Sequence, residues 1–209
     1  MAVVIGDGIT SIGGGVFRSH TALESAVIGN GVTSIGGDAF AYGTSLTSII
    51  IPDSVTSIGD AAFGNSHLTS IEIPNSVTSI GNFAFSHSTL TSVIIGDKVT
   101  SIGNEAFRYC SRLTSIYSHS TTPPTTGAFN FTNINALCCL YVPAESVSAY
   151  TLATGWSNIS CIQAFYTVTF NSQGGTNVNS QTVGHNKNVT EPPPPTLTNY
   201  TFSGWYKEV

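Results

Sequence analysis

Residues 49–70 read Ile49-Ile-Ile-Pro-Asp-Ser-Val-Thr-Ser-Ile-Gly-Asp-Ala-Ala-Phe-Gly-Asn-Ser-His-Leu-Thr-Ser70, and variants of this phrase occur five times between Val3 and Ser115. Three landmarks keep step. An isoleucine before glycine falls at Ile12, Ile35, Ile58, Ile80 and Ile102, a phenylalanine at Phe17, Phe40, Phe63, Phe85 and Phe107, and a leucine at Leu23, Leu46, Leu68, Leu90 and Leu113. The spacing is 22 or 23 residues throughout. A fixed period of that length means stacked units that bury one shared core.

Each unit divides into three pieces. Leu46-Thr-Ser-Ile-Ile-Ile51 alternates and is β-branched, which predicts a strand with Leu46, Ile49 and Ile51 inward and Ser48 and Ile50 outward. A turn at Pro52-Asp53-Ser54 leads to a second short strand, Val55–Gly59, with Val55 and Ile58 inward. Asp60-Ala-Ala-Phe-Gly is then a tight, helix-like corner that drives Phe63 into the core. Rungs about 4.8 Å apart make five copies a rod roughly 24 Å long.

Composition narrows the function. Of the 209 residues, 41% are apolar but only 8% are charged, and the net charge is −5 with six Lys and Arg. Such a chain has neither the charge excess of a disordered segment nor a basic footprint for nucleic acid or anionic lipid. No apolar run is long enough to cross a membrane, and no signal peptide opens the chain. Met1-Ala2 leads straight into a repeat body, so we expect a piece of a longer exported protein whose first rung exposes a strand edge. End-to-end self-association through that edge is a further expectation.

Ile-Pro-Asp-Ser-Val-Thr-Ser-Ile-Gly-x-x-Ala-Phe, at 51–63, and its Asn variant at 73–85 resemble the BspA-like family of bacterial surface leucine-rich repeats. The resemblance spans residues 3–115 and implies a leucine-rich-repeat solenoid of about five repeats. It also implies an exported, non-enzymatic protein that adheres to host matrix proteins or other cells. From Ile116 the period weakens. Phe129 continues the phenylalanine spacing, Thr121–Thr126 replaces the second strand, and Ser146, Tyr150 and Trp156 resemble the family's terminal units, with Trp156 as an apolar plug. Residues 165–209 form another module, with candidate strands at 165–170, 177–183 and 200–206. Tyr166-Thr-Val-Thr-Phe-Asn-Ser-Gln-Gly-Gly175 and Tyr200-Thr-Phe-Ser-Gly-Trp-Tyr206 resemble the internalin-type B-repeat, a small β-grasp-like unit that is incomplete here. The expected fold is therefore mainly β: a repeat array over 1–115, its C-terminal cap over 116–164, and a partial β-grasp-like module over 165–209.

The outward column of the first strand is the leading functional candidate. It reads Val4, Val27, Ile50, Glu72, Ile94 and Tyr117, apolar or aromatic at every position but one. Either it is an interaction stripe for a protein ligand, with Val27, Ile50, Ile94 and Tyr117 as anchors and Glu72 selecting, or its residues simply suit a pleated sheet. The second reading makes the chain a stalk or spacer. Asp7, Asn30, Asp53, Asn75 and Asp97 form a second column, read as turn caps, because calcium needs six or more converging oxygens. His20, His67, His87 and His119 share no register and are read as surface residues. We expect no metal, no cofactor and no catalytic constellation. Among four cysteines, Cys161 is placed to bridge Cys138 or Cys139, and Cys110 reads as a small buried residue. The Asn-x-Ser/Thr triplets at Asn130, Asn158, Asn188 and Asn199 are what a Ser- and Thr-rich chain contains by chance.

Overall fold

The computed structural model describes residues 1–184 and 189–205. Two columns of parallel strands run along a stack of rungs, one for each strand of the repeat. The first column comprises β1 (Ala2–Ile5), β3 (Ser25–Ile28), β5 (Ser48–Ile50), β7 (Ser70–Ile73), β9 (Ser92–Ile95), β11 (Ser115–Ser118), β13 (Cys139–Pro143) and the start of β14 (Cys161–Val168). The second comprises β2 (Ser11–Ile12), β4 (Ser34–Ile35), β6 (Ser57–Ile58), β8 (Ser79–Ile80), β10 (Ser101–Ile102) and β12 (Thr125–Thr126). The parallel ladder therefore runs on past the fifth repeat.

The second-strand sheet is unbroken across its six strands, whereas the first-strand sheet is not. β1-β3-β5 form one sheet, and β7 begins another that runs through β9, β11, β13 and β14 to β15 (Gln181–Gly184). The interruption falls where the period drops. Phe40 to Leu46 spans six positions but Phe63 to Leu68 only five, so the chain enters β7 by a connection one residue shorter. Backbone bonds across this step are long: His67 N–H to Gly43 O at 3.3 Å and Thr69 N–H to Thr47 O at 3.4 Å.

Inside, like stacks on like. Phe17, Phe40, Phe63, Phe85 and Phe107 stack with centroids 5.1–5.4 Å apart and nearly parallel rings. The next ring on the spine is Phe131, 5.9 Å from Phe107, and not Phe129, which is 63% exposed. The fifth turn is 24 residues long, because Ser101 pairs with Thr125 and Ile102 with Thr126. Extra chain around Pro123-Pro124 shifts the phase, so a count of 22 from Phe107 lands on the corner instead. The same pairing corrects the expectation that residues 121–126 lack a second strand: Thr125–Thr126 is that strand.

The corner is not helical. Asp38, Ala61, Phe83, Glu105 and Phe129 stand at one column of positive φ, and Ser19, Tyr42, Asn65, His87, Tyr109 and Asn133 at another. A left-handed L-residue costs roughly 1–2 kcal/mol. The return is visible in each rung: Ala61, Phe63 and Asn65 all aim N–H at the next rung, donating to Asn82, Ala84 and Ser86 carbonyls at 2.7–2.8 Å. The corner thus makes a third hydrogen-bonded column without being a strand.

Close approach of rungs explains the glycine after each strand of the second column but the first. A Cβ on Gly81 would lie 2.5 Å from the Asp60 backbone nitrogen, and one on Gly103 2.5 Å from that of Asn82. Gly81→Ala is expected to cost about 1–3 kcal/mol through forced separation of rungs, read as a lower urea midpoint with the m-value unchanged.

Helix α1 (Val147–Leu152) and two 3-10 turns (Ala144–Ser146, Trp156–Asn158) close the far end. Trp156 is fully buried, lies 4.9 Å from Phe131, and donates Nε1–H to Pro124 O at 2.8 Å. Tyr150 packs edge-on against it, and its hydroxyl bonds Ser118 Oγ at 2.7 Å. Cys139 and Cys161 form a disulfide at paired positions of β13 and β14, while Cys138 faces the core.

The last module shares a strand with the solenoid. β14 pairs with β13 over Cys161–Phe165 and then, antiparallel, with β15 over Phe165–Val168. The predicted strand at 177–183 shortens to β15. Residues 200–205 form no strand, and Tyr206 lies outside the described residues. There Trp205 collects Phe170 and Phe202, each with centroids 5.1 Å away. An aromatic cluster replaces the expected ladder.

Candidate functional site

Alternation along each first strand sends one residue per rung outward. Ile49 and Ile51 turn into the core, so Ile50 between them is 68% exposed. Register then aligns the row: Val4, Val27 and Ile50 in one sheet, Glu72, Ile94 and Tyr117 in the next. Val4, Val27 and Glu72 are exposed, whereas Ile94 and Tyr117 are half-buried. The structure places all six predicted positions on one face, but it divides them three and three at the β5–β7 interruption.

A trough of about 860 Å³ lies over that interruption. Its floor carries Val27, Ile50, Glu72 and Ile94; its wall carries Asn30, Asp53 and Asn75. Tyr117 does not line it. His119 does, and is half-buried with its ring 5.1 Å from Phe165. This corrects the expectation of a surface histidine. Burial lowers the His119 pKa, while Asp97 and Glu72 pull it up. Burial against its neighbours also raises the Tyr117 pKa, and Tyr141 adds to the rise.

Two surface features are not marked by the repeat, one on the face and one at the corner. Tyr141 extends the row, stacked on Tyr117 at 4.7 Å with rings 13° apart. The signal was present in the alternation of Leu140 and Val142 around it. At the corner, Tyr42, Phe83, Tyr109 and Phe129 are exposed, with the Arg108 guanidinium 4.7 Å from the Tyr109 ring centre. These residues carry no periodic mark, since the same columns elsewhere hold Gly, Asp, Ala, Glu, Ser, Asn or His.

Two members of the Asx column cap the next rung. Asp7 accepts from Asn30 N–H at 2.7 Å, and Asn75 from Asp97 N–H at 2.9 Å. A second such ladder follows the second strand, from Asp60 to Asn82 to Asn104. Asn130 belongs to the same device: its amide reaches Gly103 O and Gly127 O and accepts from Ala106 N–H. Being 2% exposed, it is no acceptor for a glycan; Asn158 and Asn199 are exposed, and Asn188 lies outside the described residues.

Comparison with known proteins agrees with this architecture. The model of the BspA type leucine rich repeat region matches six copies, over residues 2–48 and 33–151. The Listeria-Bacteroides repeat domain matches residues 166–209. Among solved structures, the chain resembles the pneumococcal vaccine antigen PcpA, at 22% identity and a TM-score of 0.60 over 72% of this chain and 38% of that one. It resembles a Treponema pallidum leucine-rich-repeat protein at 24% identity and 0.54, over 75% of this chain and 80% of that one. A Eubacterium ventriosum leucine-rich-repeat protein gives 23% and 0.55, over 70% and 50%. The chain thus spans well under half the length of the pneumococcal antigen. No curated protein matches it. The repeat match covers most of the chain and coincides with the rungs, and the protein belongs to the BspA-type leucine-rich-repeat family.

Proposed function

We propose that this chain is a binding module of a bacterial cell-surface protein, adhesin-like, which presents the first-strand face to a protein ligand such as a host matrix protein. One observation carries the reading. Val4, Val27 and Ile50 are 75%, 47% and 68% exposed in adjacent rungs, and beyond Glu72 the row continues through the half-buried Ile94 to the stacked Tyr117 and Tyr141. A solvated sheet face ordinarily alternates to polar residues, and contiguous exposed apolar area marks interaction surfaces. The extended face suits a partner that lies along several rungs. Interface cores favour aromatic and apolar side chains with few charges, which is the composition of this row.

Ile50→Glu/Ile94→Glu is expected to abolish binding to immobilised matrix proteins that capture the parent chain. Its circular dichroism and melting curve should stay close to the parent's, because neither side chain belongs to the buried core. Binding retained by the double variant would move the site off this face. Absence of binding by the parent to fibrous and adhesive matrix proteins alike would favour a stalk.

A further inference from the structure

We infer that the trough over the β5–β7 interruption accepts a protein segment in which a lysine or arginine lies between apolar residues. This specificity rests on the sheet-face reading above and names the chemistry of its partner.

Glu72 is the one charged side chain in the outward row. Ile50 precedes it and Ile94 follows it along the stack, so a carboxylate stands between two apolar neighbours on the trough floor. Glu72 is exposed. Among the described residues it enters neither of the side-chain ion pairs, which join Arg18 to Asp38 and Arg108 to Glu105 at the corner. Asp53 adds a second carboxylate at the wall. Among the described residues no lysine or arginine lines the trough; Lys98, beside Asp97, lies outside its lining. His119 also lines the trough, and burial lowers its pKa against the upward pull of Asp97 and Glu72.

An apolar partner alone would strip water from Glu72 and leave an uncompensated charge, which is costly. An acidic partner would add like-charge repulsion. A cation flanked by apolar groups satisfies both the carboxylate and the floor, and partial exclusion of water strengthens the attraction. Charge complementarity therefore selects one occupant from among those the apolar row alone would admit.

The test uses the isotopically labelled full chain and three capped synthetic peptides of the form Gly-Ser-Val-X-Val-Ser-Gly, with X lysine, glutamine or glutamate. Titration followed by backbone amide shifts should show the lysine peptide perturbing Ile50, Glu72 and Ile94. Its affinity should exceed that of the glutamine peptide about fivefold or more, and fall with added salt. Glu72→Gln should erase that preference without altering the circular dichroism. Equal affinities for the lysine and glutamine peptides, shifts elsewhere on the surface, no binding by any peptide, or a preference that survives Glu72→Gln would each overturn the proposal. Matrix binding separates this from the broader reading. If it is lost in Ile50→Glu/Ile94→Glu but kept in Glu72→Gln, the face binds and the cation preference is wrong.

Discussion

Phe63→Ala is expected to lower the stability of the chain by about 3–5 kcal/mol. Phe63 is fully buried and stacked on Phe40 at 5.4 Å and Phe85 at 5.3 Å, both rings nearly parallel to it. Its removal leaves a cavity in the middle of the spine, lined by ring faces whose positions are fixed by backbone bonds between rungs. Those bonds prevent collapse onto the void, which places the cost toward the upper end. Position along the array matters as well. A solenoid holds together through nearest-neighbour contacts, so a defect at the third unit weakens the junction between two halves. Phe17→Ala, at the half-buried first unit, should cost markedly less. Equilibrium unfolding in urea by far-ultraviolet circular dichroism checks both. Similar losses for the two variants would mean that the rungs do not share one cooperative core.

Cys139→Ser/Cys161→Ser is expected to cost about 3 kcal/mol, the chain-entropy value for a closed loop of this size. The two cysteines are 22 residues apart, one full turn, at directly paired positions of β13 and β14. The bridge therefore ties the last rung of the solenoid to the strand that leaves it. Cys110 and Cys138 are buried, and burial pushes both thiols up to about 11, so neither supplies a thiolate for exchange at neutral pH. Reductant should lower the melting temperature of the parent toward that of the double variant and leave the variant unchanged. A reductant effect on the variant would show that the buried thiols take part.

The core was legible because burial repeats. Ile, Phe and Leu landmarks recur every 22 or 23 residues, and within the five repeats no other residue type fills their sites. Legibility failed where the period changed or where a column had no fixed residue. Two extra residues near Pro123-Pro124 moved the spine from Phe129 to Phe131. The break in the first-strand sheet coincides with one residue fewer before Leu68, yet the same kind of length change before Leu113 leaves the sheet whole, so spacing alone did not announce it. The left-handed corner stayed hidden because Asp38, Ala61, Phe83 and Glu105 share φ but no chemistry; only Gly15 gave the usual sign. The outward row itself was readable from alternation. The trough was not, because it lies over the interruption and is lined in part by His119, which belongs to a different rung and shares no register with the other histidines.

β14 is common to two modules, and this has a mechanical consequence. Tension drawn through the C-terminal repeat enters β14 from its Val168 end and loads the hydrogen bonds to β13 from Phe165 back toward Cys161. Peeling stops there, because the disulfide joins the next step covalently to β13. The intervening segment, with α1 and the buried Trp156, stays outside the line of force. At about 3.3–3.6 Å per residue, roughly 70–80 Å of chain is held in reserve, released only when the bridge is reduced. A pull on this protein in an oxidising medium would therefore meet a short, stiff tether, and in a reducing one a longer, yielding one.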